Sequence, residues 1–286
     1  QVLVRYKQSK VSLDRLSGMY GVDGDQVIDD ANLVKHTPVY LHGPLPDVAA
    51  VEKLIEHRLE SFECRNLSLS FPGTEKGLSN INLSISRGTL TVITGRIGSG
   101  KTTLLRALLG LLKVDSGNIA WNGIDIKDPV SFLRPPRTSY TPQNPRLFSD
   151  TLKNNVLLGL PETSTNLSEA FTAAVLEADI PELEHGIDTV VGPKGVKLSG
   201  GQKHRAAAAR MLVRSPELLV FDDLSSALDV HTEQKLWSRL LRSAQATYLA
   251  VSHRPFLLRQ ADQIIVLKDG KINDAGEFDR LIASNQ

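Results

Sequence analysis

The residues best suited to chemistry stand in one short run, Gly95-Arg96-Ile97-Gly98-Ser99-Gly100-Lys101-Thr102, which fits the pattern GxxxxGK[ST]. Phosphate oxygens need many donors at close range. Glycines let backbone N–H groups approach without Cβ clashes, and a helix that begins after them turns its positive end toward the anion. Lys101 is placed to reach the β- and γ-phosphates and the Thr102 hydroxyl to ligate Mg²⁺, with Thr103 beside them. A cation on Thr102 needs a carboxylate opposite. Downstream, Leu218-Leu219-Val220-Phe221-Asp222 is an apolar run ending in an acid, and Asp222 at its C-terminal end is well placed for that role. The chemistry implied is the binding of a nucleoside triphosphate with its Mg²⁺.

Those groups need a strand, a tight loop and a helix to carry them, and the flanking pattern supplies all three. Residues 89–94 (TLTVIT) are a short β-branched run leading into Gly95, and residues 102–112 are Leu-rich and read as a helix. Residues 59–66 and 82–86 alternate as strands do, and 218–222, 247–252 and 263–267 read as further strands. Between 149 and 213 the texture is helical, with helices expected over 150–158, 168–178 and 200–213. Strands alternating with helices predict an α/β chain with a mostly parallel core sheet. A helix is expected over 1–20, breakers such as Gly21, Pro38 and Pro44 mark 21–46 as loop-like, and Asp47 is expected to cap a short helix. Residues 1–57 are therefore read as a linker, and 58–286 as the domain, with a helical part at about 149–213.

Composition excludes several classes. Hydrophobic residues make up 41% and charged residues 23%, as in soluble globular proteins. The net charge is +1 and no block of like charge stands out, so there is no electrostatic footprint for nucleic acid. The single cysteine, Cys64, precludes an internal disulfide framework and fits a reducing compartment. No apolar run approaches the roughly 18 residues of a membrane-spanning helix, and no signal-peptide pattern is present. The first residue is glutamine, so the chain is expected to be a fragment of a longer protein.

Leu198-Ser199-Gly200-Gly201-Gln202 lies between the glycine loop and the Asp222 strand. By itself it is a Gly-rich helix start with Ser199 as N-cap. In this order with the other motifs, it makes residues 59–285 resemble the ABC ATPases, the nucleotide-binding domains of ABC transporters. The resemblance implies a P-loop NTPase fold with an antiparallel β subdomain and an α-helical signature subdomain, and ATP with Mg²⁺ as ligands. It also implies roles for Gln143, in Tyr140-Thr141-Pro142-Gln143, on Mg²⁺ and the attacking water, and for His253, in Val251-Ser252-His253, on the γ-phosphate. Asp229, in Ser226-Ala227-Leu228-Asp229, falls in the family's D-loop, and Phe71 where an aromatic stacks on adenine. In the family, two such domains pair head to tail, so Ser199, Gly200, Gly201 and Gln202 would meet the partner's nucleotide; the helix start there suits a phosphate for the same reason as the loop at Gly95.

One position departs from the family. After the Asp222 acid a glutamate usually orients the attacking water, and here stands Asp223, one methylene shorter. In-line attack depends on positioning within an ångström, so the shorter arm is expected to slow hydrolysis, on the order of 10²-fold. Residues 138–159 (TSYTPQNPRLFSDTLKNNVLLG) are similar to the exporter pattern PQxxxLFxxTIxxNIxxG. Residues 189–195 (TVVGPKG) stand where exporters carry a loop that senses the membrane domain, with Val190 and Pro193 departing from the usual acids; residues 8–16 (QSKVSLDRL) look like the end of a last transmembrane helix. The resemblance thus implies the ATPase part of an exporter, at the cytoplasmic face of the plasma (inner) membrane, partnered by a second cassette and a transmembrane domain. Two other readings are a slow regulatory ATP-binding partner in a heterodimeric exporter, which Asp223 permits, and an ABC ATPase acting on DNA or ribosomes. The latter carry long coiled coils or two cassettes, neither of which this chain has.

Overall fold

The computed structural model describes residues 53–74, 76–162, 165–242 and 246–283. The helix expected over 1–20, the loop-like 21–46 and the start of the helix after Asp47 lie outside them. The described end of that last segment is a single 3-10 turn, Ile55–His57.

In chain order the elements are β1 (Ser61–Ser70), β2 (Gly77–Ser86), β3 (Leu90–Thr94), α1 (Lys101–Leu108), β4 (Ser116–Trp121), β5 (Ile124–Asp125), α2 (Pro129–Phe132) and β6 (Thr138–Thr141). There follow β7 (Asp150–Thr151), α3 (Leu152–Leu157), α4 (Leu167–Ala173), β8 (Val190–Val191), α5 (Gly200–Leu212), β9 (Leu218–Asp222) and α6 (Val230–Leu240). The last are β10 (Thr247–Val251), α7 (Pro255–Gln260), β11 (Gln263–Lys268), β12 (Lys271–Gly276) and α8 (Phe278–Ala283).

The central sheet has the order β12-β11-β3-β10-β9-β6. β11, β3, β10, β9 and β6 run parallel, and only the edge strand β12 is antiparallel to its neighbour. A second sheet, β2-β1-β4-β5, is wholly antiparallel. The mostly parallel α/β core is thus as strand and helix alternation predicts, and the antiparallel sheet is as the resemblance implies.

The period of two along the core strands divides the apolar interior. Leu218 and Val220 of β9 face one way, into a core shared with Leu104, Leu105 and Leu108 of α1 and with Phe62 and Ile81 of the antiparallel sheet. Leu219 and Phe221 face the other way, into a core with Phe171 of α4, Ala206 and Ala209 of α5, and Trp237 of α6. All five side chains of β9 are buried, as parallel strands covered on both faces require.

Three expected helices are shorter than their apolar pattern. The helix after the glycine loop ends at Leu108 instead of 112, because Gly110 (φ +70°) takes the left-handed position that stops it. The N–H of Leu111 then donates to Arg106 O at 2.8 Å, and that of Gly110 to Ala107 O at 3.0 Å, satisfying two terminal carbonyls. The helix expected from 150 begins at Leu152, since Asp150 and Thr151 pair with Val190 and Val191 and the Thr151 hydroxyl accepts from Asn154 N–H to cap the turn. The helix expected over 168–178 ends at Ala173, where Val175 turns left-handed (φ +60°) and Leu176 is buried beneath it. Among the described residues no helix is long and apolar enough to cross a membrane.

Candidate functional site

Four adjacent parallel strands, β3, β10, β9 and β6, deliver the expected residues from their C-terminal ends, where open α/β sheets hold their ligands. Gly95 follows β3, His253 follows β10, Asp222 closes β9 and Gln143 follows β6. Residues far apart in sequence therefore meet in space because the strand order is fixed by the sheet.

The loop after β3 wraps tightly. At Gly95 (φ +143°) a Cβ would lie 2.1 Å from Leu267 O, so only glycine fits against β11. Gly98 (φ +83°) and Gly100 (φ +101°) complete the turn into α1. Lys101 Nζ donates to the carbonyls of Gly95 at 2.8 Å and Arg96 at 2.9 Å, arching over the loop. Ser99 Oγ is buried without a hydrogen-bond partner inside the turn, while Ile97 at its tip is 98% exposed. Thr103 sits on the first turn of α1.

Thr102 Oγ1 donates to Asp222 Oδ1 at 3.1 Å, and the Tyr140 hydroxyl donates to Asp222 Oδ2 at 3.2 Å. Burial pushes the Asp222 carboxyl up from its ordinary value, despite the two hydroxyl donors that pull it down. Burial, and then the nearby Asp222 charge, also push the Tyr140 phenol up to about 12, so it stays a donor. A buried carboxylate beside a hydroxyl is a hard-oxygen pair of the kind Mg²⁺ takes, with phosphate and water filling the rest of its shell. The donor set fits the ion, with Thr102 and Asp222 as the residues to hold it.

Next to them, Gln143 Nε2 donates to Asp223 Oδ2 at 3.3 Å. Asp223 stands in the left-handed region (φ 56°, ψ 49°), which turns the chain sharply at the end of β9 into the 3-10 turn Leu224–Ala227. His253 Nδ1 lies 3.3 Å from Thr94 Oγ1. Burial, and then the Lys101 charge, hold the His253 imidazole below its ordinary pKa against the opposing charge of Asp223, and so favour the neutral form. Burial likewise lowers Lys101, opposed by the charges of Asp223 and Asp222. Lys101, Thr102, Gln143, Asp222, Asp223 and His253 thus form one electrostatic cluster.

The remaining expected residues lie in other settings. Phe71 is 38% exposed just past the end of β1, at the β1–β2 turn. Asp229 accepts from Thr232 N–H at 2.9 Å and caps α6. Ser199 caps α5: its Oγ accepts from Gln202 N–H at 3.2 Å, and Gln202 Oε1 accepts from Ser199 N–H at 2.9 Å, a reciprocal capping box. Gln202 Nε2 also donates to Asp179 Oδ1 at 3.0 Å. The Gln202 side chain is thus occupied in shaping the helix start that displays Ser199, Gly200 and Gly201.

Sequence reasoning missed four residues here. Tyr140 was legible as a motif neighbour of Gln143 but carried no signal of its bond to Asp222. Asp179 and Arg205 form an ion pair that also meets Gln202, and His204 Nε2 lies 2.9 Å from Gln143 O, joining α5 to the segment after β6. These last depend on the docking of α5, which no local pattern reveals.

Comparison with known proteins agrees with this geometry. The ABC transporter family model matches residues 78–226, just over half of the chain. The ATP-dependent lipid A-core flippase of Salmonella typhimurium is 33% identical over 238 residues, covering 82% of this chain and 41% of the flippase. That of Pectobacterium atrosepticum is 35% identical over 236 residues, covering 81% and 40%. The chain therefore spans about two fifths of the length of these curated relatives. A bacterial Atm1-family ABC exporter solved with ATP bound superposes with a TM-score of 0.74 at 28% identity, over 98% of this chain and 46% of that one. Family model, relatives and strand-end cluster agree, and the chain belongs to the ABC transporter family as its ATP-binding cassette.

Proposed function

We propose that the chain binds Mg²⁺-ATP at residues 95–103, hydrolyses it slowly, and pairs head to tail with a second cassette to drive a membrane exporter. The observation that carries this is the cluster of Lys101, Thr102, Asp222, Gln143, Asp223 and His253 at the ends of four neighbouring strands. The backbone N–H groups of the loop and Lys101 hold the phosphates, and Thr102 and Asp222 hold Mg²⁺, which neutralises charge on the β- and γ-phosphates. Asp223 orients the water that attacks the γ-phosphorus. As the water oxygen bonds phosphorus the bond to the bridging oxygen breaks, the water's proton passes to the phosphate oxygens, and ADP and phosphate leave. Gln143 fixes the Asp223 carboxylate, and neutral His253 donates to the γ-phosphate. Phe71 stacks on adenine.

Ser199, Gly200 and Gly201 would face the nucleotide of the second cassette, where the N-terminus of the 13-residue helix α5 suits a phosphate. Asp229 and the turn before it would lie along the same interface. ATP then closes the pair, and hydrolysis removes the bridging charge, a two-state element able to move a membrane domain. The named relatives are flippases and the superposing structure an exporter, which supports export, at the cytoplasmic face of the plasma (inner) membrane, as the work performed. Substrate choice would belong to the membrane-spanning part.

The test is the Mg²⁺-ATPase rate against concentration of this chain. A specific rate that climbs with concentration and disappears in Lys101→Ala supports a self-pairing, hydrolytic cassette. A flat rate near background with ATP still bound favours the second reading, a slow regulatory partner in a heterodimer, for which Asp223 is the specific observation. Failure to bind ATP at all would sink both.

A further inference from the structure

Glu233, on α6, is an acid that no motif accounts for. It is 2% exposed. One carboxylate oxygen is buried without a hydrogen-bond partner, and the other lies 3.6 Å from Arg254 Nε. A buried charge persists only when it is compensated. The compensating cation, Arg254, immediately follows His253 and stands at the N-cap of α7. Its backbone N–H donates to Ser252 Oγ at 3.1 Å, and its Nη2 donates to the carbonyls of Ser225 at 3.2 Å and Leu228 at 3.4 Å. The planar guanidinium thus faces a carboxylate on one edge and two carbonyls on another, which a single ammonium cannot do.

Those carbonyls belong to the turn Leu224–Ala227 and the residue after it, which begin directly after Asp223. On its other side the turn touches the start of α5: a Cβ at Gly201 would lie 3.1 Å from Ala227 O, and one at Gly200 would lie 3.5 Å from the Ala227 Cβ. One ion pair, with Glu233 buried and Arg254 partly exposed, therefore braces a turn that joins Asp223 and His253, at the chain's own proposed nucleotide site, to Gly200 and Gly201, which on that reading face the second cassette. We infer that Glu233 and Arg254 are positioning residues that fix this turn so that nucleotide binding beside His253 is transmitted to the start of α5. The inference rests on the proposed reading of the chain as an ATP-binding cassette.

Trp237 is a built-in reporter of the turn. Its Nε1–H points to Ser225 Oγ at 3.4 Å, and its ring meets Phe221 and Tyr248 edge-on, with centroids 5.3 and 6.5 Å away. The chain has two tryptophans, so Trp121→Phe leaves Trp237 as the sole emitter. In that background, Mg²⁺-ATP should change Trp237 emission. Adding Arg254→Met should abolish the change while calorimetric ATP affinity stays within about twofold, and should lower kcat about tenfold or more with KM unchanged. Arg254→Lys should fail to restore either signal. Because a lone Arg254→Met leaves the buried Glu233 uncompensated, the double variant Glu233→Leu/Arg254→Met is the control for folding; replacing both charges by apolar groups is often neutral for stability. It should fold, bind ATP and still lack the emission change. Recovery of the emission change and of turnover in the double variant would overturn the inference, as would ATP binding to the Trp121→Phe chain with emission unchanged. Absence of ATP binding to the Trp121→Phe chain would overturn the functional reading, and the inference with it.

Discussion

The two regions proposed to face phosphate are built in opposite ways. The cluster around Lys101 is assembled from the ends of four strands, and its key contact, Thr102 to Asp222, spans 120 residues of sequence. The helix start at Ser199–Gln202 is largely local: Ser199 and Gln202 cap each other three residues apart, and the Asp179–Arg205 ion pair meets Gln202 from outside. A site that must place a metal carboxylate, a water-orienting acid and a lysine in one geometry needs the rigidity of a sheet. A site that offers backbone N–H groups to a phosphate brought by another molecule needs only a well-capped helix. The contrast implies that the first is sensitive to single polar substitutions and the second to whatever holds its helix in place.

The widest gap between the two regions should appear in paired substitutions. Lys101→Ala removes the cation nearest the phosphates and should lower both ATP affinity and turnover, turnover by about 10²–10³-fold. Ser199→Ala should leave ATP affinity of the isolated chain unchanged, since on the proposed reading Ser199 serves the other nucleotide, and reduce only turnover of the assembled pair. Calorimetry on the dilute chain, alongside steady-state rates at high concentration, separates them. Equal loss of affinity in both variants would erase the distinction.

Asp223→Glu sharpens the first region. Asp223 is held left-handed at the strand end and reaches Gln143 Nε2 at 3.3 Å with a short arm. One added methylene should carry the carboxylate closer to the attacking water and raise the turnover rate, by up to about 10²-fold. A rate that stays the same or falls would mean that the backbone turn at 223 already compensates for the shorter side chain.

Legibility followed the same divide. The glycine loop, the Asp222 strand and the capped helix at Ser199 are sequence-local, so type and spacing were enough to find them. The parallel sheet was also foreseeable from strand and helix alternation. The antiparallel strands β4, β5 and β12 were not, because their short patterns are interrupted by turns at Asn122-Gly123 and Asp269-Gly270. Helix ends were misjudged where a left-handed residue, at Gly110 or Val175, ended an apolar run early. Tyr140, Asp179 and Arg254 escaped notice because their partners are set by tertiary packing, to which periodicity is blind. The resemblance supplied Gln143 and His253, which residue types alone would have left as an ordinary loop glutamine and histidine.

The brace of the second region can be tested on its own. Side chains of Arg205 and Asp179 are 13% and 17% exposed. Arg205 Nη1 also donates to the Val175 carbonyl, and Nη2 donates to Asp179 Oδ1 at 3.0 Å. Asp179→Ala leaves the guanidinium half-paired and Gln202 Nε2 without its acceptor. Breaking a part-buried pair in this way should cost about 1–3 kcal/mol of unfolding free energy, below the cost at a fully buried pair, while ATP affinity at residues 95–103 stays as it was. A urea midpoint unchanged from the parent would show that the capping box stands without its brace.

The smallest effect concerns a link between the segment after α4 and α6. Glu177 accepts from Arg239 at 2.7 Å and Lys235 at 3.2 Å. The Arg239 hydrogen bond, more than any other cause, brings its pKa down to about 2, against the opposing effect of burial. A carboxylate depressed in the folded state binds fewer protons than the same group unfolded. Its contribution is therefore present above its ordinary value of 4.5 and is lost as pH falls from there toward 2. Its side chain is 35% exposed, so solvent screening limits the stabilisation to below about 1 kcal/mol. Glu177→Gln should be less stable than the parent at pH 7 by that amount, and the gap should close as the two are compared at pH 5, 4 and 3. A gap that stays constant over this range would assign the loss to packing rather than charge, and would leave Asp179 and Arg205 as the ionic brace of the signature helix.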